Sequence, residues 1–471
     1  MEHLRLTTEL RSSSFDEEDL SINKERKREI SLSSNLQTEK LTHLRLLDGS
    51  DTMLNQINKL LNKSRKIIVL TGAGISCNAG IPDFRSSKGL YESVKKEFPE
   101  VSIGSGKEMF DISLFRDEVK ISVFATFMEK LYANVKLAQP TKTHKFIAHL
   151  KDRNKLLRCY TQNIDGLEEN LGLEVSMKNE TSKDKLNSKF NSTWKNFDVV
   201  QLHGDLNTLA CTRCFHTFPW NRFWARSLRR GELPTCPECE RKDLKRLQLG
   251  KRQIDNNIGF LRPNIVLYGE NHPSGDLISQ GLSLDILRGR PDFFIIMGTS
   301  LKVDGVKKVV RQMSKQVHER GGIVILINKT SVGDSSWNGV IDYQIWSDCD
   351  TWVTYLEDMI PDFFKTQKQI EKLRQLKREN SELKKKKLSS TIHTPPTTPT
   401  KIHELTSSNE IKIEEHKNEL MSPEQSSDDE KKSPKKRSRK VIPKEGKIVK
   451  VKRNLKQKLN SSPKLLKAEA I

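Results

Sequence analysis

The run Lys66-Ile67-Ile68-Val69-Leu70 is apolar after its first residue and passes directly into Thr71-Gly72-Ala73-Gly74. A stretch that is apolar on successive side chains reads as a strand buried on both faces. That requires a parallel sheet covered by helices on each side. The glycines that follow predict a turn opening a helix. Such a turn suits a pyrophosphate, because its N–H groups and positive dipole end face the same point. Gly72 and Gly74 would let the backbone approach the phosphates. Glycines also make ordinary turns, so this stretch alone does not assign a ligand.

Further strand-like runs begin near Leu156, Val199, Asn264, Phe293, Ile323 and Tyr343. Met53, Leu54, Ile57, Leu60 and Leu61 make one helical face, and Phe115, Val119, Val123, Phe127 and Leu131 make another. Alternating strands and helices predict an α/β fold built on a parallel sheet. Residues 1–45 lack apolar periodicity and predict a disordered N-terminal arm. Residues 46–363 carry the periodic pattern of the folded domain. Residues 364–471 read as a basic disordered tail, with Ile370, Leu373, Leu376 and Leu383 marking a short helix whose apolar pattern Lys384–Lys387 halts. Within the domain, residues 176–196 are polar and predict a surface loop, and residues from 205 to about 259 predict a small metal module.

Formal net charge is +21, and it is uneven. From Lys365 onward there are 29 Lys and Arg against 14 Asp and Glu, so the tail offers contact to an anionic partner such as nucleic acid. No apolar run approaches a membrane span, and no secretory leader opens the chain, so a soluble intracellular protein is expected.

Cys211-Thr212-Arg213-Cys214 and Cys236-Pro237-Glu238-Cys239 are separated by 21 residues. Two such knuckles supply four thiolates, a closed tetrahedral set for a structural zinc. His203 ends an apolar strand and precedes Gly204. It is expected to project from a sheet's carboxyl edge, where open α/β sheets bind ligands and where an imidazole can act as a general base. Asn163 and Asp165 follow another strand and equally suit a turn or a helix cap. Gly298, Thr299 and Ser300 end a third strand, with amides and hydroxyls suited to phosphate.

The ordered set Gly72-Ala73-Gly74-Ile75-Ser76 with Gly80-Ile81-Pro82-Asp83-Phe84-Arg85, Thr161-Gln162-Asn163-Ile164-Asp165-Gly166, Leu202-His203-Gly204, Gly298-Thr299-Ser300-Leu301 and Ile327-Asn328-Lys329, with the paired cysteines, resembles the sirtuins, the NAD-dependent protein deacylases. The resemblance implies a Rossmann-like domain with an inserted zinc module. It implies NAD contacts from Gly72, Ala73, Gly74, Ile81, Asp83, Phe84, Arg85, Tyr91, Gln162, Asn163, Ile164, Asp165, Gly298, Thr299, Ser300, Asn328, Lys329 and Cys349. Catalysis would rest on His203, Asn163 and Asp165, with Phe84 shielding the reacting carbon from water. Cys211, Cys214, Cys236 and Cys239 would hold zinc. Val266, Tyr268, Gly269 and Glu270 resemble the strand to which a substrate peptide adds. Two positions depart from the family pattern: Ala79, where a small hydroxyl residue is usual, and Gly305, where a proline is common.

The polar insertion before His203, the run Gly298–Gly305 and the basic tail resemble the fungal nuclear branch. This implies a nuclear deacetylase of acetylated histone H3, acting in chromatin silencing and genome stability. A mono-ADP-ribosyltransferase, a deacylase for longer chains and a non-catalytic chromatin scaffold remain as alternatives. In the tail, Lys431–Lys440 reads as a nuclear import signal. Thr394-Pro395 and Thr398-Pro399 resemble a paired phosphodegron recognised by a ubiquitin ligase.

Overall fold

The computed structural model describes residues 36–46, 52–86, 89–99, 106–175, 190–252 and 258–390. The N-terminal arm before residue 36, most of the polar insertion, and the tail with Thr394, Thr398 and the Lys431–Lys440 cluster lie outside the described residues. Among the described residues the main sheet has seven strands: β1 (Thr42–Arg45), β2 (Ile67–Thr71), β3 (Leu156–Thr161), β4 (Val199–Gln201), β8 (Phe293–Met297), β9 (Ile323–Asn328) and β10 (Tyr343–Trp346). Their order is β1-β10-β9-β8-β2-β3-β4, and every pairing is parallel. The remaining strands, β5 (Gly204–Cys211), β6 (Thr217–Pro219) and β7 (Leu261–Ile265), form a small antiparallel sheet in the order β6-β5-β7.

The period of two along each central strand divides the core into two layers. Ile67, Val69, Phe293, Ile295, Ile323 and Ile325 face one layer, where Leu54, Ile57, Phe146, Ile147, Trp352 and Leu356 meet them. Ile68, Leu70, Phe294, Ile296, Val324 and Leu326 face the other, against Leu282, Ile286, Val306, Val310 and Met313. The helices Thr52–Lys63, Lys142–Asp152 and Cys349–Met359 cover the first face, and Gly275–Leu287 and Asp304–His318 cover the second. Helix Glu118–Leu137 packs instead toward the antiparallel sheet through Phe124, Phe127 and Met128. The expected amphipathic face there holds except at Val119, which is 56% exposed in the first turn.

Three expectations about boundaries are corrected. Residues 36–45 belong to the fold and not to a disordered arm. β1 pairs with β10, Leu36 and Leu44 are buried, and the Tyr343 hydroxyl donates to the Leu36 carbonyl at 2.7 Å. The strand reads Thr-His-Leu-Arg, an edge strand with one buried side chain, so it has no apolar run to see. The tail helix runs Gln367–Ser390, straight through Lys384–Lys387, since Lys is a good helix former and needs no apolar face to continue. Its stretch from Arg374 onward falls outside the compact unit that holds the sheets.

The third correction concerns the polar insertion. Residues 190–195 are helical, and Trp194 is buried at 1% exposure. Its indole Nε1 donates to Asp285 at 3.1 Å. Arg158 donates to the same carboxylate through Nε at 2.8 Å and Nη2 at 3.1 Å, and the Tyr160 hydroxyl adds a bond at 2.8 Å. One buried carboxylate thus joins β3, the end of the insertion and helix Gly275–Leu287. Asp285→Ala leaves the Arg158 guanidinium buried without its counter-ion. This is expected to cost about 3–5 kcal/mol, read as a lowered midpoint in urea denaturation.

Candidate active site

The carboxyl ends of β2, β3, β8 and β9 open onto a cavity of about 1260 Å³. Two backbones meet closely at its floor. Gly74 N–H donates to the Gly298 carbonyl at 2.8 Å, and Gly72 N–H donates to Met297 at 3.0 Å. A Cβ on Gly74 would lie 2.7 Å from Gly298 Cα, and Gly298 itself takes φ +62°. The glycines therefore let two loops touch, which a larger residue at either position prevents.

This corrects the expected phosphate cradle in two ways. After β2 the chain forms two short 3₁₀ turns, Ala73–Ile75 and Cys77–Ala79, not a helix. The amides of Gly72 and Gly74 are also already committed to backbone carbonyls. The Thr299 hydroxyl oxygen accepts from Gln162 Nε2 at 3.0 Å and from the Leu301 amide at 3.2 Å, bonds that do not use its own O–H.

Gly72, Ala73, Gly74, Asp83, Phe84, Arg85, Tyr91, Gln162, Asn163, Ile164, His203, Gly298, Thr299, Ser300, Asn328, Lys329 and Cys349 all line the cavity, as does Gly305. Ile81 and Asp165 do not. Ile81 is packed in the core beside helix Glu118–Leu137, and Asp165 sits behind the wall. Asp165 accepts from the Ser76 hydroxyl at 2.7 Å, and that oxygen accepts from Asn163 Nδ2 at 3.1 Å. The Asn163 Oδ1 atom is buried in the cavity wall with no hydrogen-bond partner. A ligand amide or hydroxyl would satisfy it. Ser76 was not singled out in the sequence, where it reads as one more turn residue.

Asp83 Oδ1 accepts from the amides of Arg85 and Ser86, each at 2.8 Å, which fixes the loop that carries Phe84. Phe84 then packs edge-on against Tyr91 and Phe110, with centroids 5.9 and 5.4 Å away. Arg85 reaches across to the Tyr268 hydroxyl at 3.0 Å. Lys329 is paired with Asp348 at 3.0 Å, and Asn328 Nδ2 donates to Thr330.

His203 hangs from the link between β4 and β5. Its Nδ1 lies 2.9 Å from the Gln162 carbonyl. A carbonyl can only accept, so Nδ1 carries the proton and Nε2 keeps its lone pair. Burial pushes the His203 pKa below the usual range and outweighs the Gln162 carbonyl, which raises it. Gly204 must follow it: at φ +87°, its added Cβ would stand 2.3 Å from the Asn264 carbonyl. His272, which no sequence signal marked, also lines the cavity. Burial first, and His203 second, lower its pKa to about 4.

Val266, Tyr268, Gly269 and Glu270 line the cavity too, but β7 ends at Ile265. The expected free strand edge is largely occupied. The Val266 amide donates to His203, the Tyr268 amide to Phe110 and the Leu267 amide to Glu270. The Glu270 carboxylate accepts from Arg262 at 2.7 and 2.9 Å, a structural tie.

At the far end of the antiparallel sheet the four cysteine sulfurs lie within 4.8 Å of one another. Cys211–Cys239 and Cys214–Cys236 are each 3.7 Å apart, far longer than a disulfide. A tetrahedron with Zn–S bonds of about 2.3 Å has edges of about 3.8 Å. The donor set therefore fits a four-thiolate zinc with no open position.

The Sir2 family model matches residues 72–305. The NAD-dependent histone deacetylase HST3 of Saccharomyces cerevisiae is 63% identical over 85% of this chain and 91% of that protein. The chain belongs to the Sir2 family. The Candida albicans NAD-dependent histone deacetylase HST3 is 51% identical over 72% of this chain and 71% of its own length. The Schizosaccharomyces pombe NAD-dependent protein deacetylase hst4 is 40% identical over 60% of this chain and 65% of its length. In this Sir2 domain the zinc module closes one end of the antiparallel sheet, and Gly204, which follows His203, lies at the other. No helix among the described residues is long and apolar enough to cross a membrane. Cys236→Ser is expected to release the metal and lower the melting temperature, because a thiolate site contributes folding energy directly. Metal content by mass spectrometry and a thermal melt check both.

Proposed function

We propose that this chain is an NAD-dependent protein-lysine deacetylase acting on acetylated histone, with histone H3 as the substrate that its resemblance to the fungal nuclear branch implies. The observation that carries this reading is 63% identity, across 85% of the chain, to a protein named an NAD-dependent histone deacetylase. When bound, NAD would supply a ribose whose carbon gives up nicotinamide and whose hydroxyl oxygen ends with the acetyl group; with one water consumed, the products are free lysine, nicotinamide and O-acetyl-ADP-ribose.

The residues divide the work as follows. His203 Nε2 takes a proton from a ribose hydroxyl, its tautomer held by the Gln162 carbonyl. A lowered pKa suits this role, because a base must be neutral to accept. Asn163 Oδ1 offers the unmatched acceptor at the wall, and Asp165 orients it through Ser76. Phe84, supported by Tyr91 and Phe110, excludes water from the reacting carbon. The zinc touches none of these groups and acts on the fold.

The test is mass spectrometry of an acetylated histone H3 peptide incubated with NAD and purified protein. Transfer of ADP-ribose to the peptide in place of deacetylation, or no reaction, would overturn the reading. His203→Ala is expected to lower turnover by about 10²–10⁴-fold with an unchanged melt. In the wild type the acid limb of kcat/KM should lie below the ordinary histidine range, since His203 becomes active once pH exceeds its depressed pKa.

The nuclear location is inferred from the histone substrate and the basic cluster Lys431–Lys440. Deleting that cluster should shift a fluorescent fusion toward the cytoplasm; an unchanged nuclear signal in microscopy would reject it as the import signal.

A further inference from the structure

Behind the wall that carries Asn163 lies a buried cluster of which the reaction described above uses only Asp165. His144, Asp165 and Glu168 are all buried, and each presents a titratable atom within 4.8 Å of the others. Asp165 is the inner end of the chain Asn163 Nδ2 to Ser76 Oγ to Asp165 Oδ2, with steps of 3.1 and 2.7 Å. Its other oxygen accepts the Leu167 amide at 3.1 Å. His144 Nδ1 accepts the Thr141 amide at 3.2 Å, so the ring proton of neutral His144 sits on Nε2. Neither His144 Nε2 nor Glu168 Oε1 has a hydrogen-bond partner. Two carboxyl groups buried this close cannot both carry charge without a large penalty.

We propose that Glu168 is a positioning residue: as a neutral carboxylic acid it supports the Asp165 carboxylate and, through Asp165 and Ser76, fixes the Asn163 amide at the cavity wall. The groups around it agree. Burial first, and the Asp165 charge second, raise the Glu168 pKa to about 8, while a backbone amide and the Thr161 hydroxyl oppose the shift. Cys159 is the other titratable neighbour, and burial keeps it a thiol. Burial lowers the His144 pKa, against the pull of Asp165 and Asp350, so it adds no positive charge at neutral pH. Above about pH 8 Glu168 ionises beside Asp165. Repulsion between the two then displaces the anchor of Asn163.

This inference rests on the deacetylase reading, and one of its tests does not. In the ligand-free protein at pH 7, infrared spectra should show a buried protonated carboxyl band. That band should be missing in Glu168→Gln and should fade in the wild type as pH rises through about 8. In the deacetylation assay Glu168→Gln, which stays neutral, should move the alkaline limb of kcat to higher pH. Glu168→Ala should lower kcat about tenfold more than Glu168→Gln, a difference of about 1.4 kcal/mol. A missing carboxyl band, or an alkaline limb unchanged in Glu168→Gln, would overturn the positioning role. If the variant fails to fold, the wild-type band and its pH dependence still decide. A wild type that shows the band yet does not deacetylate would instead count against the proposed reaction.

Discussion

The contact between the Gly72–Gly74 turn and Gly298 is the constraint on which the site depends. It joins the ends of adjacent parallel strands, β2 and β8, with hydrogen bonds of 3.0 and 2.8 Å. Any Cβ at Gly74 would force these backbones apart. Because the strands are fully buried on both faces, the sheet cannot bend to absorb such a shift. The loops bearing Gln162, Thr299 and Asn163 are then tied to the same floor, Gln162 bonding both Thr71 and Thr299. The cavity is thus rigid at its base. Its rim is formed by the Asp83–Ser86 turn and the segment after β7.

The two antiparallel strands around Gly204 play a different part. They carry the zinc knuckles at one end and the residue after His203 at the other. β5 pairs Gly204 with Ile265 and Cys211 with Leu261. Metal binding at Cys211 therefore stiffens the strand whose opposite end sets the direction of the His203 backbone. A closed set of four thiolates leaves no open position for substrate, so a metal held there would act on the fold alone.

Buried polar chemistry recurs at two places, with opposite outcomes. Asp285 accepts from Arg158 Nε and Nη2, the Tyr160 hydroxyl and the Trp194 indole, while Arg158 Nη1 is buried without a partner. That cluster is paired, and it fastens the insertion to the core. The cluster of His144, Asp165 and Glu168 keeps unmatched atoms. It sits one hydrogen-bond chain away from a cavity wall. A carboxylate paired with a guanidinium holds segments together, while two acids buried side by side hold a proton whose position responds to pH.

The parallel sheet, its long apolar strands and the four-thiolate zinc set were legible in the residues themselves, while most cavity-lining positions came from the resemblance to the sirtuins. Full burial writes itself as runs such as Ile67–Leu70 and Phe293–Met297, and metal ligation as fixed cysteine spacing. β1 and residues 190–195 were not, because each is polar apart from one or two anchors whose partners lie far along the chain: β10 for Leu44, and Asp285 for Trp194. The sequence likewise marked Gly72, Gly74 and Thr299 as phosphate holders. It could not show that the Gly72 and Gly74 amides bond to the carbonyls of Met297 and Gly298. Nor could it show that Ile81 and Asp165 stand behind the wall, or that Glu168 lies against Asp165. By itself the sequence determined the buried central strands and the metal ligands, since both depend on local pattern. Only the tertiary structure decided which donors are already spent and which buried acids are neighbours, because those are set by contacts between segments that the chain's order does not place together.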